Sequence, residues 1–263
     1  MIDRFLRGAL METKKPPTAC VLIIGNEILS GRTQDANLNF LATGLTNLGI
    51  QLVEARVIAD VESAIVSAVN GCRELYDYVF TTGGIGPTHD DITAECIAKA
   101  FGVKLEQNLV ARDLIAKLCE RNGIELNAAR LRMANVPAGA RLIENSVSAA
   151  PGFQMGNVFV LAGVPKIMRD MFGGCKSELV GGVVVQSQTV VAYLPEGIVA
   201  EPLRALQERF PDVEMGSYPF YEGGRFGTNL VLRSTDRTLL SQACTDISSM
   251  VEGLGGEPQV EPS

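Results

Sequence analysis

The chain has 263 residues, enough for one large domain or for a medium domain with a small companion. Hydrophobic residues make up 46% and charged residues 20%, ordinary globular usage that excludes a disordered chain and a fibrous repeat. The 23 Lys+Arg against 30 Asp+Glu leave a net charge of −7, with no basic run longer than Lys14-Lys15, so nucleic acid and anionic membranes are poor partners. The longest apolar runs also fall far short of the roughly 20 residues that span a bilayer.

Residues 1–17 read as an N-terminal extension. The opening MIDRFLRGAL carries Asp3, Arg4 and Arg7 and offers no small-residue cleavage site, so a signal peptide is not expected, and Met11 offers an alternative start. Lys14-Lys15-Pro16-Pro17 cannot continue a helix and reads as extended. The six cysteines (Cys20, Cys72, Cys96, Cys119, Cys175, Cys244) are far apart, contain no C-x-x-C pair and have only His89 to join them. Neither zinc structure nor a disulfide framework is expected, and a reduced thiol is a small hydrophobe. The cytoplasm is the expected compartment.

From Thr18 the pattern becomes regular. A strand at Ala19–Ile24 precedes a loop and a helix over Asp35–Leu48, with Leu38, Leu41, Leu45 and Leu48 on one face. A strand at Gln51–Ile58, a helix at Val61–Glu74, a strand at Tyr78–Thr82 and a helix beginning near Ile92 follow. Three rounds of strand and helix imply right-handed crossovers and a mostly parallel α/β sheet, with ligands at the strand C-termini. Helices are expected at Asn108–Arg121 and Ala128–Asn135, short strands near Arg141–Ile143 and Val158–Leu161, and a helix at Lys166–Phe172. The pairs Gly173-Gly174 and Gly181-Gly182 mark a boundary zone, dividing 18–180 from a second, smaller α+β domain over 181–263. There a run at Val183–Leu194, a helix at Ile198–Phe210, strands at Asp212–Tyr218 and Asn229–Arg233 and a helix at Thr238–Gly253 make a βαββα set.

The turn Thr81-Thr82-Gly83-Gly84-Ile85-Gly86-Pro87-Thr88 joins a buried strand to a helix, and its glycines let a ligand approach outward-pointing N–H groups, as phosphate binding requires. Thr88 and Asp91 match a capping box, so the plainer reading is a Gly-rich connection with a routine cap. No Gly-Lys-Ser/Thr follows, which excludes a Walker A loop, and the third glycine of a dinucleotide fingerprint is missing. Asp90 and Asp91 beside an anion site either turn away or hold a divalent cation, and otherwise serve only as acids at a helix N-terminus. Asp60 follows the second strand and, taken alone, is an N-cap. His89 reads as a solvent-facing bystander. The segment Gly25-Asn26-Glu27-Ile28-Leu29-Ser30-Gly31 is either a simple loop or, with Asp35 and Asn37, a polar rim on the same sheet edge.

GNEILSG at 25–31 with Asn37, then Asp60, then TGGIGPTHDDIT at 82–93 resemble the MoaB/Mog molybdopterin-binding domain, and most nearly the N-terminal region of competence/damage-inducible protein A, the CinA type. Asn145 with AAPGF at 149–153, LAGVP at 161–165 and GSYP at 216–219 extend the likeness over roughly residues 18–235. Asn26, Ser148 and Ala162 depart from the usual pattern. The resemblance implies a three-layer α/β core followed by an α+β domain. The amidohydrolase that follows these two domains in CinA-type proteins is not expected here. The resemblance also implies a rim of Gly25, Ser30, Gly31, Asn37, Thr82, Gly83, Gly84, Gly86, Pro87, Thr88 and Thr93 around a small-molecule nucleotide or pterin. Asp90, Asp91 and Glu27 would hold a divalent cation (Mg, Mn or Co), with Asp60 and Asp91 as the catalytic acids. The activity implied first is a metal-dependent pyrophosphatase acting on ADP-ribose or a related adenine dinucleotide. The alternatives are molybdopterin binding or adenylylation in molybdenum cofactor biosynthesis, and a non-catalytic oligomeric ligand-binding module. A homo-oligomer is expected, since family members commonly associate.

Overall fold

A computed structural model describes residues 15–261, so the expected N-terminal extension and the alternative start lie almost wholly outside the described residues. The chain divides into two compact units between Gly182 and Val183.

In the first unit, β1 (Thr18–Ile24) is buried along nearly its whole length, as an inner strand covered on both faces must be. A short helix α1 (Asn26–Leu29) follows, then α2 (Asn37–Thr46), β2 (Gln51–Ile58), α3 (Glu62–Leu75), β3 (Tyr78–Thr82) and α4 (Thr93–Ala100). Next come β4 (Leu105–Gln107), α5 (Leu109–Arg121), α6 (Ala128–Arg132), β5 (Asn135–Pro137), β6 (Arg141–Ile143), β7 (Gly152–Met155), β8 (Val158–Leu161) and α7 (Pro165–Cys175). The six-stranded sheet has the order β2-β1-β3-β8-β7-β6; its first four strands are parallel and the last two antiparallel. One face packs on α2 and α7, where Phe80 stacks on Phe159 with centroids 5.1 Å apart and meets Phe172 edge-on. The other packs on α3 and α4 through Ile65, Val69, Cys72, Cys96 and Ile97. This is the expected three-layer, mostly parallel α/β architecture.

Several local expectations need correction. The segment after β1 is not a simple loop, because Gly25 O accepts the Ile28 N–H and winds α1. The helix expected to reach Asn135 ends at Arg132, and Asn135–Pro137 instead pairs antiparallel with β4. Three-residue strands such as these show too few alternations to betray themselves. Gly173 and Gly174 lie inside α7 and mark no boundary. The widely spaced cysteines do not stay apart either: packing of α3 on β1 brings Cys20 Sγ within 3.3 Å of Cys72 Sγ.

The second unit is an antiparallel four-stranded sheet with two helices: β9 (Gln186–Ala192), α8 (Glu196–Arg209), β10 (Glu214–Glu222), β11 (Arg225–Ser234), α9 (Arg237–Gly253) and β12 (Gln259–Val260), in the order β10-β11-β9-β12. Val190, Leu230 and Leu232 from the sheet meet Val199, Leu206, Ala243, Ile247 and Val251 from the helices. Asp236 starts α9 by accepting the Thr238 and Leu239 N–H groups as its N-cap. Within this unit, among the described residues, β12 is the one element without a counterpart in the expected set. Among the described residues no helix is long and apolar enough to cross a membrane.

Candidate functional site

The C-terminal ends of β1, β2, β3 and β8 bring the expected residues to one edge of the first unit. Leaving β1, Gly25 donates its N–H to Ile58 O at 3.2 Å. The carboxylate of Glu27 folds back over Gly25, where any Cβ would lie 2.6 Å from both carboxylate oxygens. Ser30 Oγ donates to Glu27 O, and Gly31 closes the segment at φ +71. Asp60 does not cap its own helix: α3 begins after Val61, which makes no side-chain cap bond, and Asp60 Oδ2 accepts the Asn26 N–H at 2.8 Å. Two segments remote in sequence are thereby locked together by one carboxylate.

The glycine turn is held from beneath. Gly83 and Gly84 adopt φ +101 and +68, which only glycine takes without strain. A Cβ on Gly83 would also lie 2.1 Å from Ile24 O. Gly83 donates its N–H to Leu161 O, so that group is spent on the fold, while the N–H groups of Gly84, Ile85 and Gly86 have no partner among the described residues. Thr93, expected on the rim, is fully buried; its Oγ1 donates to Gly83 O at 3.1 Å and its N–H to Gly84 O at 3.0 Å. It positions the turn from below.

Thr88 and Asp91 do reach each other, but not as a helix cap. Helix α4 starts at Thr93 after Ile92, which makes no side-chain cap bond, while Asp91 Oδ2 accepts the Thr88 N–H at 2.8 Å and the Thr88 hydroxyl. The pair closes a separate turn after Pro87. A Cβ on Gly86 would stand 2.6 Å from Asp91 Oδ2, so Gly86 makes room for this carboxylate. The Thr88 side chain, the backbone and the neighbouring His89 hold the exposed Asp90 carboxyl below the usual carboxylate range, so it is ionised at neutral pH.

A cleft lies on each side of the turn. One is lined by Glu27, Asn37, Thr82, Gly163 and Pro165, and the other by Gly84, Gly86, Asp91, Glu95, Arg132 and Asn135. In the first, Asn37 Nδ2 donates to Gly163 O at 2.8 Å, while Asn37 Oδ1 and Thr82 Oγ1 are buried without a hydrogen-bond partner among the described residues. Arg132 and Asn135 escaped the sequence reading, since no motif marks them and only the turn from α6 into β5 brings them here.

Residues 20–180 match the family described as a probable molybdopterin binding domain, and residues 184–255 match the FAD synthase middle domain. The chain belongs to the MoaB/Mog molybdopterin-binding domain family. A protein of Pyrobaculum arsenaticum is 36% identical over 210 residues, covering 76% of this chain and 79% of that one. A probable FAD synthase of Caenorhabditis elegans is 30% identical over 273 residues, covering 93% of this chain but 52% of its own length. Among solved structures, the protein CinA of Thermoplasma acidophilum, described as of unknown function, is 36% identical with a TM-score of 0.56, over 63% of this chain and 99% of that one. The fold of the first unit is thus CinA-like.

Glu27, Asp90 and Asp91 do not converge: among the described residues the one trio of ligand-type side chains whose donor atoms all lie within 4.8 Å of one another is Cys20, Glu54 and Cys72. Glu27 is drawn over Gly25 and Asp91 towards Thr88. Their hard oxygens on an open rim nonetheless suit Mg²⁺ or Mn²⁺, which keep water ligands and take further oxygens from a substrate's phosphates.

Proposed function

We propose that this chain hydrolyses the pyrophosphate of an adenine dinucleotide, ADP-ribose or flavin adenine dinucleotide, with a divalent cation (Mg²⁺, Mn²⁺ or Co²⁺). The observation that carries the reading is a turn without side chains at Gly83, Gly84 and Gly86, set between two clefts and ending in Asp90 and Asp91. The free N–H groups of the turn hold a phosphate, and each cleft takes one half of the dinucleotide. The match of 184–255 to the FAD synthase middle domain, and a relative called a probable FAD synthase, support the flavin dinucleotide as a ligand, and its hydrolysis is the step we propose.

In the reaction a water oxygen bonds to one phosphorus, the bond from that phosphorus to the bridging oxygen breaks, and the proton of the water passes to a carboxylate. Asp60, with one oxygen engaged by Asn26 N–H and the other available, orients the water and takes that proton. Asp90 and Asp91 would hold the cation, which would neutralise charge on the phosphoryl oxygens, while Glu27 stays on the other side of the turn over Gly25. Incubating the full chain with ADP-ribose or FAD and each metal, and resolving products by ion exchange, should yield AMP with ribose 5-phosphate or FMN. No AMP from either substrate with any of the three metals would sink the proposal.

A second reading, binding or adenylylation of molybdopterin, is favoured by the buried, unpartnered oxygens of Asn37 and Thr82, which offer a pterin hydrogen-bonding edges. Tight molybdopterin binding without hydrolysis of either dinucleotide would select it, and ligand binding with no turnover of any kind would select the non-catalytic module. Self-association through the outermost strand β2, whose Val53 and Val57 are exposed, is part of the proposal and is tested by light scattering.

A further inference from the structure

Away from the glycine turn, one cluster joins two sulfurs to a carboxylate. Cys20 of β1 and Cys72 of α3 are fully buried with Sγ atoms 3.3 Å apart, and an oxygen of Glu54 completes a trio whose members lie within 4.8 Å of one another. The fold dictates this meeting. After a register irregularity at Ala19/Cys20, Cys20 pairs with Glu54 across β1 and β2, and α3 lays its buried stripe of Ile65, Ala68, Val69 and Cys72 on the same face. Glu54 is half-buried; it accepts from Arg56 Nε at 2.7 Å, from Arg56 Nη2 at 3.1 Å and from Tyr76 Oη at 2.7 Å.

We propose that Cys20, Cys72 and Glu54 form a binding site for a borderline-soft divalent cation of the zinc type, separate from the cation of the glycine turn. Paired thiolates select Zn²⁺ over Mg²⁺ or Ca²⁺, which prefer oxygen alone. Two zinc–sulfur bonds of about 2.3 Å in tetrahedral geometry set the sulfurs roughly 3.8 Å apart, so the pair needs to open by only about half an ångström. Each thiol gives its proton to water as its sulfur bonds the metal, and nothing is oxidised or reduced. The formal charges of two thiolates and Glu54 are balanced by the cation and the Arg56 guanidinium. Glu54 is the one partly exposed member of the trio, so an ion and a water as fourth ligand would enter from its side. The bound ion would tie β1, β2 and α3 together, which gives it a stabilising role. Cys96, Cys119, Cys175 and Cys244 join no such trio among the described residues.

The test uses the full chain, reduced, stripped with chelator and then titrated with Co²⁺ in excess Mg²⁺, so that oxygen-liganded sites are filled. One equivalent of Co²⁺ should give a thiolate-to-cobalt charge-transfer band, stoichiometric Zn²⁺ should bleach it, and Zn²⁺ should raise the melting temperature. The band should vanish in the Cys20→Ser/Cys72→Ser variant. Because those positions are in the core and the variant is at risk of misfolding, Glu54→Gln, at the half-exposed end, is measured alongside. It should fold normally and bind Zn²⁺ at least about tenfold more weakly, the lower end of what losing even an outer-shell group costs. No charge-transfer band in the wild type, the same band in the double cysteine variant, or unchanged Zn²⁺ affinity in Glu54→Gln would each overturn the proposal. None of these readouts depends on hydrolysis at the glycine turn.

Discussion

Replacing Asp91 by Asn separates a structural role from a catalytic one by the size of two effects. In the structure Asp91 Oδ2 accepts the Thr88 N–H at 2.8 Å and the Thr88 hydroxyl, and its side chain fills the space that Gly86 leaves open. Asparagine keeps a carbonyl oxygen for the Thr88 N–H, so the fold loses only the charge assistance of those bonds, about 0.5–1.5 kcal/mol. No cap is lost, because α4 begins after Ile92 and does not use Asp91. The melting temperature should therefore fall by about 2–6 °C. A group that holds the cation or places the nucleophile is worth about 10²–10⁴ in rate, or roughly 2.7–5.5 kcal/mol of barrier. The rate loss should thus exceed the stability loss severalfold in free energy. The assay is single-turnover hydrolysis of ADP-ribose and FAD across Mg²⁺ and Mn²⁺ titrations, with thermal unfolding of the same preparations. Partial recovery at high metal marks Asp91 as a cation ligand; none marks it as placing the nucleophile. Asp60→Asn should behave like the second case, since an Asn oxygen can still accept the Asn26 N–H but cannot take a proton from water. Turnover within a few-fold of wild type in both variants would refute the assignment of these acids.

Gly84→Ala and Gly86→Ala should part company: the first sets a Cβ 2.1 Å from the buried Thr93 Oγ1 at φ +68 and should markedly lower the melting temperature, whereas the second meets only the movable end of Asp91 and should cost activity with the fold intact. His89→Gln should leave turnover within a few-fold, and a loss of about 10²-fold would reinstate it as a general acid or base. Glu54 gives a prediction in acid. Hydrogen bonds from Arg56 and Tyr76 lower its pKa from 4.5 to about 2. A depressed carboxyl stabilises the fold fully above its unfolded pKa, and that contribution is lost as pH falls from about 4.5 towards 2. Glu54→Gln should therefore flatten the fall of melting temperature across that window, and equal slopes in the two proteins would show that the Glu54 bridge contributes nothing.

How far the sequence reveals the fold depends on how many periods each element displays. The buried run of β1, the leucine stripe of α2 and the apolar stripe of α3 repeat often enough to be read, and β2 falls where its pattern puts it. The pairs β4–β5 and β6–β7 rest on three- and four-residue strands, too short to show an alternation, so no local pattern announces β4, β5 or β7. The capping pattern at Thr88 and Asp91 was legible as a contact and misleading as a helix start. The bonds it predicts are present, but Ile92 intervenes before α4, and a Thr-x-x-Asp spacing cannot distinguish a cap from a turn that stands just ahead of one. Likewise the meeting of Cys20 with Cys72 depends on which face of α3 lies against β1, which spacing along the chain does not encode.

The glycine turn shows why a motif locates a site without dividing its labour. Its three glycines look equivalent in sequence, yet each is required for a different reason. Gly83 is demanded by the fold, since its N–H is taken by Leu161 O and a side chain would collide with Ile24 O. Gly84 is demanded by Thr93, which is buried beneath it and bonds both glycine carbonyls. Only Gly86 owes its lack of a side chain to a rim acid, Asp91. Loss of function at Gly83 or Gly84 would therefore say little about phosphate, because the scaffold fails together with the site. Gly86 is the position at which the shape of the turn and the chemistry of its ligand can be tested apart.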